Sequence, residues 1–210
     1  MKKIDLHAHY ISPGFSKFLY DYFDGKGDGV ATPKFSPEGY LELMARMEIE
    51  YGVLSISSPH ISVAPDEEMI NLAKEVNAYA TEFTHKYPEQ LGFFATLPLP
   101  LVKESIETID TALDQQGALG FTLPTNARGI YVGDDRLDKV LAKLDERHAV
   151  VALHPNEPKP NIEAMSDVVP APLMEFIFDT TRTVIYMSQN NVFSKYTNIK
   201  WIIPHCGALL

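Results

Sequence analysis

Ile4-Asp5-Leu6-His7-Ala8-His9 is the first apolar run of the chain, and it ends on two histidines spaced i, i+2. In a strand such residues project from one face, so both imidazoles point the same way. Histidine nitrogen is a favoured ligand of zinc and other borderline metals, and two imidazoles at one strand end supply half of a divalent-cation site. The plainer alternative is a pair of rings on a solvated edge near the N-terminus. Two further histidines weigh against it, because His154 and His205 also close apolar, strand-like runs.

Outward from that run the pattern alternates. β-type segments at Ile4–Leu6, Val53–Ser57, Leu91–Leu97, Ala118–Leu123, Val150–His154 and Ile199–Pro204 are separated by stretches with helical spacing. Ser36 and Pro37 are a cap and a first-turn proline, opening a helix that reads through Glu50. Asp66 precedes a helical stretch Glu67–Tyr87, whose Met69, Ile70, Ala73, Val76, Ala80 and Phe83 share one side. Val102–Gln116, Asp134–Arg147 and Leu173–Tyr196 repeat the theme. Strands interleaved with helices predict a parallel sheet with helices outside it, here as a single domain over residues 1–210. Three long loops follow strand C-termini, where active sites of α/β folds lie: Tyr10–Phe35, Pro124–Gly133 and Pro155–Pro172. The aromatic residues of the first are expected either to wall a binding site or to pack beneath the loop.

The chain's 210 residues, 45% hydrophobic, suffice for one sizeable core. No run of 18 apolar residues and no basic-then-apolar leader is present, so neither a membrane span nor a secretory signal is expected. The single cysteine, Cys206, rules out an intrachain disulfide framework and suits a cytoplasmic protein. A net charge of -10 argues against nucleic acid as a partner, because phosphate neutralisation needs a basic face. It does not forbid an anionic substrate, since a bound cation dominates its local field.

His7 and His9 end the first strand, His154 the fifth and His205 the sixth. In an eight-stranded α/β barrel all four would converge on one mouth, and catalytic zinc takes three protein ligands with a position left open. A single histidine in an apolar strand is more often packed than ligating; four at equivalent strand ends are hard to explain by packing. His60, in Ser58-Pro59-His60, either lines the pocket or caps a turn. His85 and His148 lie late in helices, where a cation suits the last carbonyls, and carry no chemistry.

Asp5-Leu6-His7-Ala8-His9, Leu153-His154-Pro155 and Pro204-His205-Cys206-Gly207-Ala208, in that order, resemble the amidohydrolase superfamily. The resemblance is strongest to its decarboxylase-like branch, which includes aminocarboxymuconate semialdehyde, γ-resorcylate and 6-methylsalicylate decarboxylases. Leu91-Gly92-Phe93-Phe94-Ala95-Thr96-Leu97-Pro98 and the segment from Gly120 to Asp134 are similar to members acting on salicylate-type acids. This resemblance spans essentially the whole chain. It implies a (β/α)8 TIM barrel, with His7, His9 and His154 as ligands of one divalent metal, expected to be zinc. His205 would be the acid/base beside the metal, and Asp5 a supporting residue.

Two departures from the family pattern matter. Binuclear members bridge their metals with a carboxylate or a carbamylated lysine from strand three or four. Neither Leu91–Leu97 nor Ala118–Leu123 contains Lys, Asp or Glu, which favours one metal. The family's last ligand is an aspartate at the end of strand eight, whereas this sequence ends at Leu210, just past strand six. A closed barrel needs about 250 residues, so the sequence reads as an incomplete barrel of about six βα units. A shortened chain and part of a longer product both stay open.

Three functions remain. The first is metal-dependent, non-oxidative decarboxylation of a small aromatic or unsaturated carboxylic acid. The metal would act as Lewis acid, and His205 would move a proton to or from the carbon that loses carbon dioxide. Arg128 would pair with the substrate carboxylate, unless it is a surface loop arginine, and Asn126 and His60 would complete the substrate site. The second is hydrolysis of an amide, lactone or ester by the same ligands. The third is a catalytically inactive, truncated barrel. A sheet cut after strand six leaves Ile199, Trp201 and Ile203 on an open edge, so a homo-oligomer is expected.

Overall fold

In the computed structural model, which describes residues 3–158 and 168–210, six strands join into one parallel sheet in the order of the chain. They are β1 (Lys3–His9), β2 (Ile49–Ser55), β3 (Leu91–Thr96), β4 (Gly120–Pro124), β5 (Val150–His154) and β6 (Lys200–Ile202). Neighbours in sequence are neighbours in the sheet, the winding of a barrel, and the arc is that of an incomplete TIM barrel. The strand ends stay level: His9 lies across from Ser55, and Pro124 across from His154. All six residues of β3 and all five of β4 are buried, as strands covered on both faces must be. Gly120 admits its neighbour closely, for a Cβ there would lie 2.3 Å from the Val150 carbonyl oxygen.

Among the described residues the α-helices are α1 (Pro13–Phe23), α2 (Pro37–Met47), α3 (Asp66–Lys86), α4 (Val102–Asp114), α5 (Asp138–Glu146), α6 (Glu175–Gln189) and α7 (Val192–Lys195). Their apolar stripes, such as Val76, Ala80 and Phe83 of α3, close with Phe93, Phe121 and Val151 into the main core. A smaller cluster of Val53, Phe94 and Ala152 forms a separate inner layer, with Tyr51, Val150 and Ile202 against it.

Several elements differ from the sequence reading. The segment Tyr10–Phe35 is no open loop. Ser12 caps α1 by accepting from the Phe15 amide, Pro13 opens the helix, and a short hairpin pairs Lys26–Gly27 with Val30–Ala31. Glu75 of α3 ties the helix down, accepting from the Ser12 hydroxyl and, at 3.0 Å, from the Gly14 amide. Both expected roles of the aromatic residues occur, since Phe18 is buried in the main core and Phe15 also reaches a cavity wall. Asp66 lies inside α3, with Pro65 at its N-cap, and Asp134 caps a short 3-10 turn that precedes α5. The stretch Leu173–Tyr196 breaks at Asn190 and Asn191, where Asn191 takes a left-handed φ of 56° and starts α7. As expected, β6 is an edge strand of the sheet, but Ile199 before it is buried and Trp201 and Ile203 are half-buried against the main core. On the opposite edge strand, β1, Ile4 (64% exposed) and Leu6 (42%) are exposed. Residues 159–167 of the expected loop Pro155–Pro172 lie outside the described residues.

Candidate metal centre

The level strand ends bring the histidines together. Ring centroids of His7 and His9 lie 4.8 Å apart, those of His9 and His154 4.9 Å, and those of His7 and His154 5.4 Å. One ligand nitrogen from each of the three falls within 4.8 Å of the others, the one such group among the described residues. At β1 the register slips between Asp5 and Ala8, and Asp5 secures the irregularity. Its carboxylate accepts from the His7 amide at 2.9 Å and from the Tyr40 hydroxyl at 3.0 Å.

Two neighbouring carbonyls set ring orientation. Nδ1 of His154 donates to the Pro155 carbonyl at 2.8 Å, and Nδ1 of His9 faces the Ser55 carbonyl at 3.4 Å. A ring that donates through Nδ1 presents the lone pair of Nε2, the form a metal ligand needs. Burial, reinforced by His7, pushes His9 down to about 4. Burial also lowers His154 well below the usual range, with His9 and His7 adding to it. His7 is lowered by burial and by His205, against the opposing pull of Asp5. Three neutral imidazoles with converging lone pairs fit a single borderline divalent cation that keeps an open position.

His205 stands beside this group and outside it, its ring 5.0 Å from that of His7 and 6.4 Å from that of His154. It sits in the turn after β6 with a left-handed φ of 52°, a conformation that non-glycine residues adopt where their surroundings impose it. Burial lowers its imidazole below the usual histidine value. Phe176 of α6 stacks on it at 6.5 Å and meets His154 edge-on at 6.0 Å.

All four histidines line one cavity of about 470 Å³. Its walls are mostly apolar, with Phe15 and Leu19 from α1 and Phe176 and Ile177 from α6, interrupted by Asp28, Lys34, Ser57 and Ser58. The sequence reading missed the groups contributed by the hairpin. The signal was there in Gly27-Asp28-Gly29-Val30, since Asp-Gly between short β-prone runs marks a tight hairpin turn.

The other expected substrate residues lie elsewhere. Arg128 does not line the cavity: its guanidinium donates to the Ser62 carbonyl at 2.6 Å and the Ala64 carbonyl at 2.6 Å, and pairs with Asp66 at 2.7 Å. It pins the loop after β4 to the start of α3, away from the cavity that the histidines line. Asn126 is buried, with its Oδ1 accepting from the Gly129 amide at 3.2 Å and its Nδ2 donating to the Glu157 carbonyl at 3.1 Å. Both hold a second short hairpin, Asn126–Ala127 with Ile130–Tyr131. His60 caps a 3-10 turn, its Nδ1 accepting from the Ser62 amide at 3.2 Å, and shares only a narrow crevice with His154.

Comparison with known proteins agrees with this geometry. The family model described as amidohydrolase matches residues 4–209. A decarboxylase of Penicillium terrestre is 30% identical over 220 residues, covering 100% of this chain and 65% of that protein. A 6-methylsalicylic acid decarboxylase of Aspergillus aculeatus is 29% identical over 212 residues, covering 99% of this chain and 64% of that protein. This chain thus spans about two thirds of the length of the curated relatives it matches. Among solved structures, an amidohydrolase II superposes with a TM-score of 0.96 at 43% identity, over 100% of this chain and 68% of its own. A dihydroxybenzoic acid decarboxylase from Polaromonas, solved with manganese and 2-nitroresorcinol, shares the fold at a TM-score of 0.82 and 19% identity, over 99% of this chain and 66% of its own.

Proposed function

The chain belongs to the amidohydrolase family, and from that premise we propose that it carries the metal and acid-binding site of a metal-dependent carboxy-lyase for small aromatic acids. The observation that carries this reading is the convergence of His7, His9 and His154 on the floor of an apolar cavity, with His205 beside them. A divalent ion held there would supply Lewis acidity and neutralise an acid's charge. Zinc is the expected ion on the nitrogen donors; a relative's bound manganese makes that ion the alternative.

The chain's own residues then divide the work. The apolar walls exclude water from a planar ring and favour departure of neutral carbon dioxide over attack by water, which is why decarboxylation is preferred to hydrolysis. Phe176, its ring roughly parallel to that of His205 with centroids 6.5 Å apart, orients a substrate ring beside it. His205 moves a proton to or from the ring carbon, and the open position beside the three ligands admits the carboxylate. Lys34 replaces Arg128 as the cation on the cavity wall, because the guanidinium is spent on carbonyls and Asp66. A panel of salicylate-type acids scored for carbon dioxide release, beside amides and lactones scored for hydrolysis, tests the reading; hydrolysis without any release of carbon dioxide would overturn it. Self-association is proposed on the exposure of Ile4 and Leu6 along the edge of the sheet.

A further inference from the structure

The hairpin after α1 turns on Asp28 and Gly29, at φ 51° and 86°, the pair of left-handed residues that a tight two-residue turn needs. It is wedged in place on both sides. A Cβ on Gly27 would lie 3.3 Å from the Ser58 carbonyl oxygen, and one on Gly29 3.5 Å from Pro170. Asp28 is therefore held in the wall of the large cavity, where it also borders a smaller cavity of about 240 Å³ lined by Lys26, Pro59 and Glu157. Among the described lining residues of the large cavity it is the single carboxyl, and no ion pair is made to it there. It is not one of the three grouped ligands. Burial, with Glu157 adding to it, pushes its carboxyl up to about 6, against the pull of the Ser58 hydroxyl. The Ser58 hydroxyl offsets part of that cost, and the two oxygens of a carboxylate have room to accept a further donor. Beyond Asp28, the histidines, Thr32, Lys34, Ser57 and Ser58, the lining of the cavity is apolar.

We propose that Asp28 is a specificity-determining residue of this cavity, accepting a hydrogen bond from a ring hydroxyl of an acid seated at the histidines and turning away acids that carry a second carboxylate there. The inference rests on the cavity being an aromatic-acid site, and adds which substituent the site selects and which residue selects it. A hydrogen bond to an ionised group favours the hydroxylated acid by about tenfold or more, and two facing carboxylates oppose binding.

The test is calorimetric titration of the full chain, loaded with manganese, with five acids: benzoate, 3- and 4-hydroxybenzoate, and the 1,3- and 1,4-benzenedicarboxylates. Asp28→Asn and Asp28→Gly are the variants, since both residues accept a left-handed turn position. In wild type, one hydroxybenzoate is expected to bind about tenfold tighter than benzoate, with both dicarboxylates weaker. Asp28→Gly should bring that hydroxybenzoate to within about twofold of benzoate, and Asp28→Asn should admit the dicarboxylates. If Asp28→Gly keeps the full hydroxyl preference at unchanged metal content, the role of Asp28 is overturned while the aromatic-acid reading stands. If wild type binds none of the five acids, the aromatic-acid reading itself fails and takes this inference with it.

Discussion

Acidifying the metal-free protein should destabilise it well before most of its carboxylates titrate. His9 and His60 are held neutral by burial, at about 4 and about 3, against 6.5 for an ordinary histidine. His60 is also committed by geometry, because its Nδ1 accepts the Ser62 amide at 3.2 Å and cannot do so once protonated. The unfolded chain takes up protons at these positions as pH falls through 6.5 while the fold does not, so their stabilising contribution is full above that value and is lost toward pH 4. Between pH 7 and pH 5 each ring costs about 2 kcal/mol. Asp28 works the other way: raised to about 6, it gains its proton first in the fold and returns about 1 kcal/mol over the same interval. The net loss is about 3 kcal/mol, with His154 adding in the same direction, a large part of a typical domain's 5–15 kcal/mol. Urea denaturation of chelator-treated protein at the two pH values should show the midpoint falling by about 1–2 M. His60→Gln, whose side-chain oxygen can still accept the Ser62 amide, should flatten that dependence by about 2 kcal/mol. An unchanged midpoint between pH 7 and pH 5 would refute the argument that these rings are buried and neutral.

The site makes further commitments. His7→Ala or His154→Ala should abolish stoichiometric divalent metal, read by elemental analysis after dialysis, because two imidazoles remain of the three grouped donors. His205→Asn should keep most of the metal while carbon dioxide release falls by about 10²–10⁴-fold, and parallel loss of metal would make His205 a ligand. Arg128→Lys should lower stability by about 1–2 kcal/mol in thermal or urea melts yet leave the affinity for benzoates unchanged, since a lysine cannot serve Ser62, Ala64 and Asp66 together. Sedimentation should find the wild-type chain self-associated, and Ile4→Asp should shift it toward monomer; a monodisperse wild-type monomer would refute that expectation.

What the amino-acid order determined by itself was the part of this protein that local periodicity carries. Apolar runs of strand length alternating with helical stripes specified a parallel sheet wound in chain order, and His7, His9, His154 and His205 at the ends of those runs placed the histidine cluster at one end of the sheet. Ser36-Pro37 marks a helix start in the sequence, and Ser12-Pro13 carries the same signal within a dense aromatic segment. Tertiary structure alone decided where polar side chains spent their hydrogen bonds. Arg128 found two carbonyls and Asp66 across 62 to 66 residues of chain, and so lies outside the cavity that the histidines line. Asp28 entered the cavity because Gly27 and Gly29 let its turn wedge against Ser58 and Pro170, contacts 31 and 141 residues away along the chain. Strand and helix periods are set by backbone geometry within a few residues, whereas a polar group's destination depends on which distant backbone is left unsatisfied once the chain has packed.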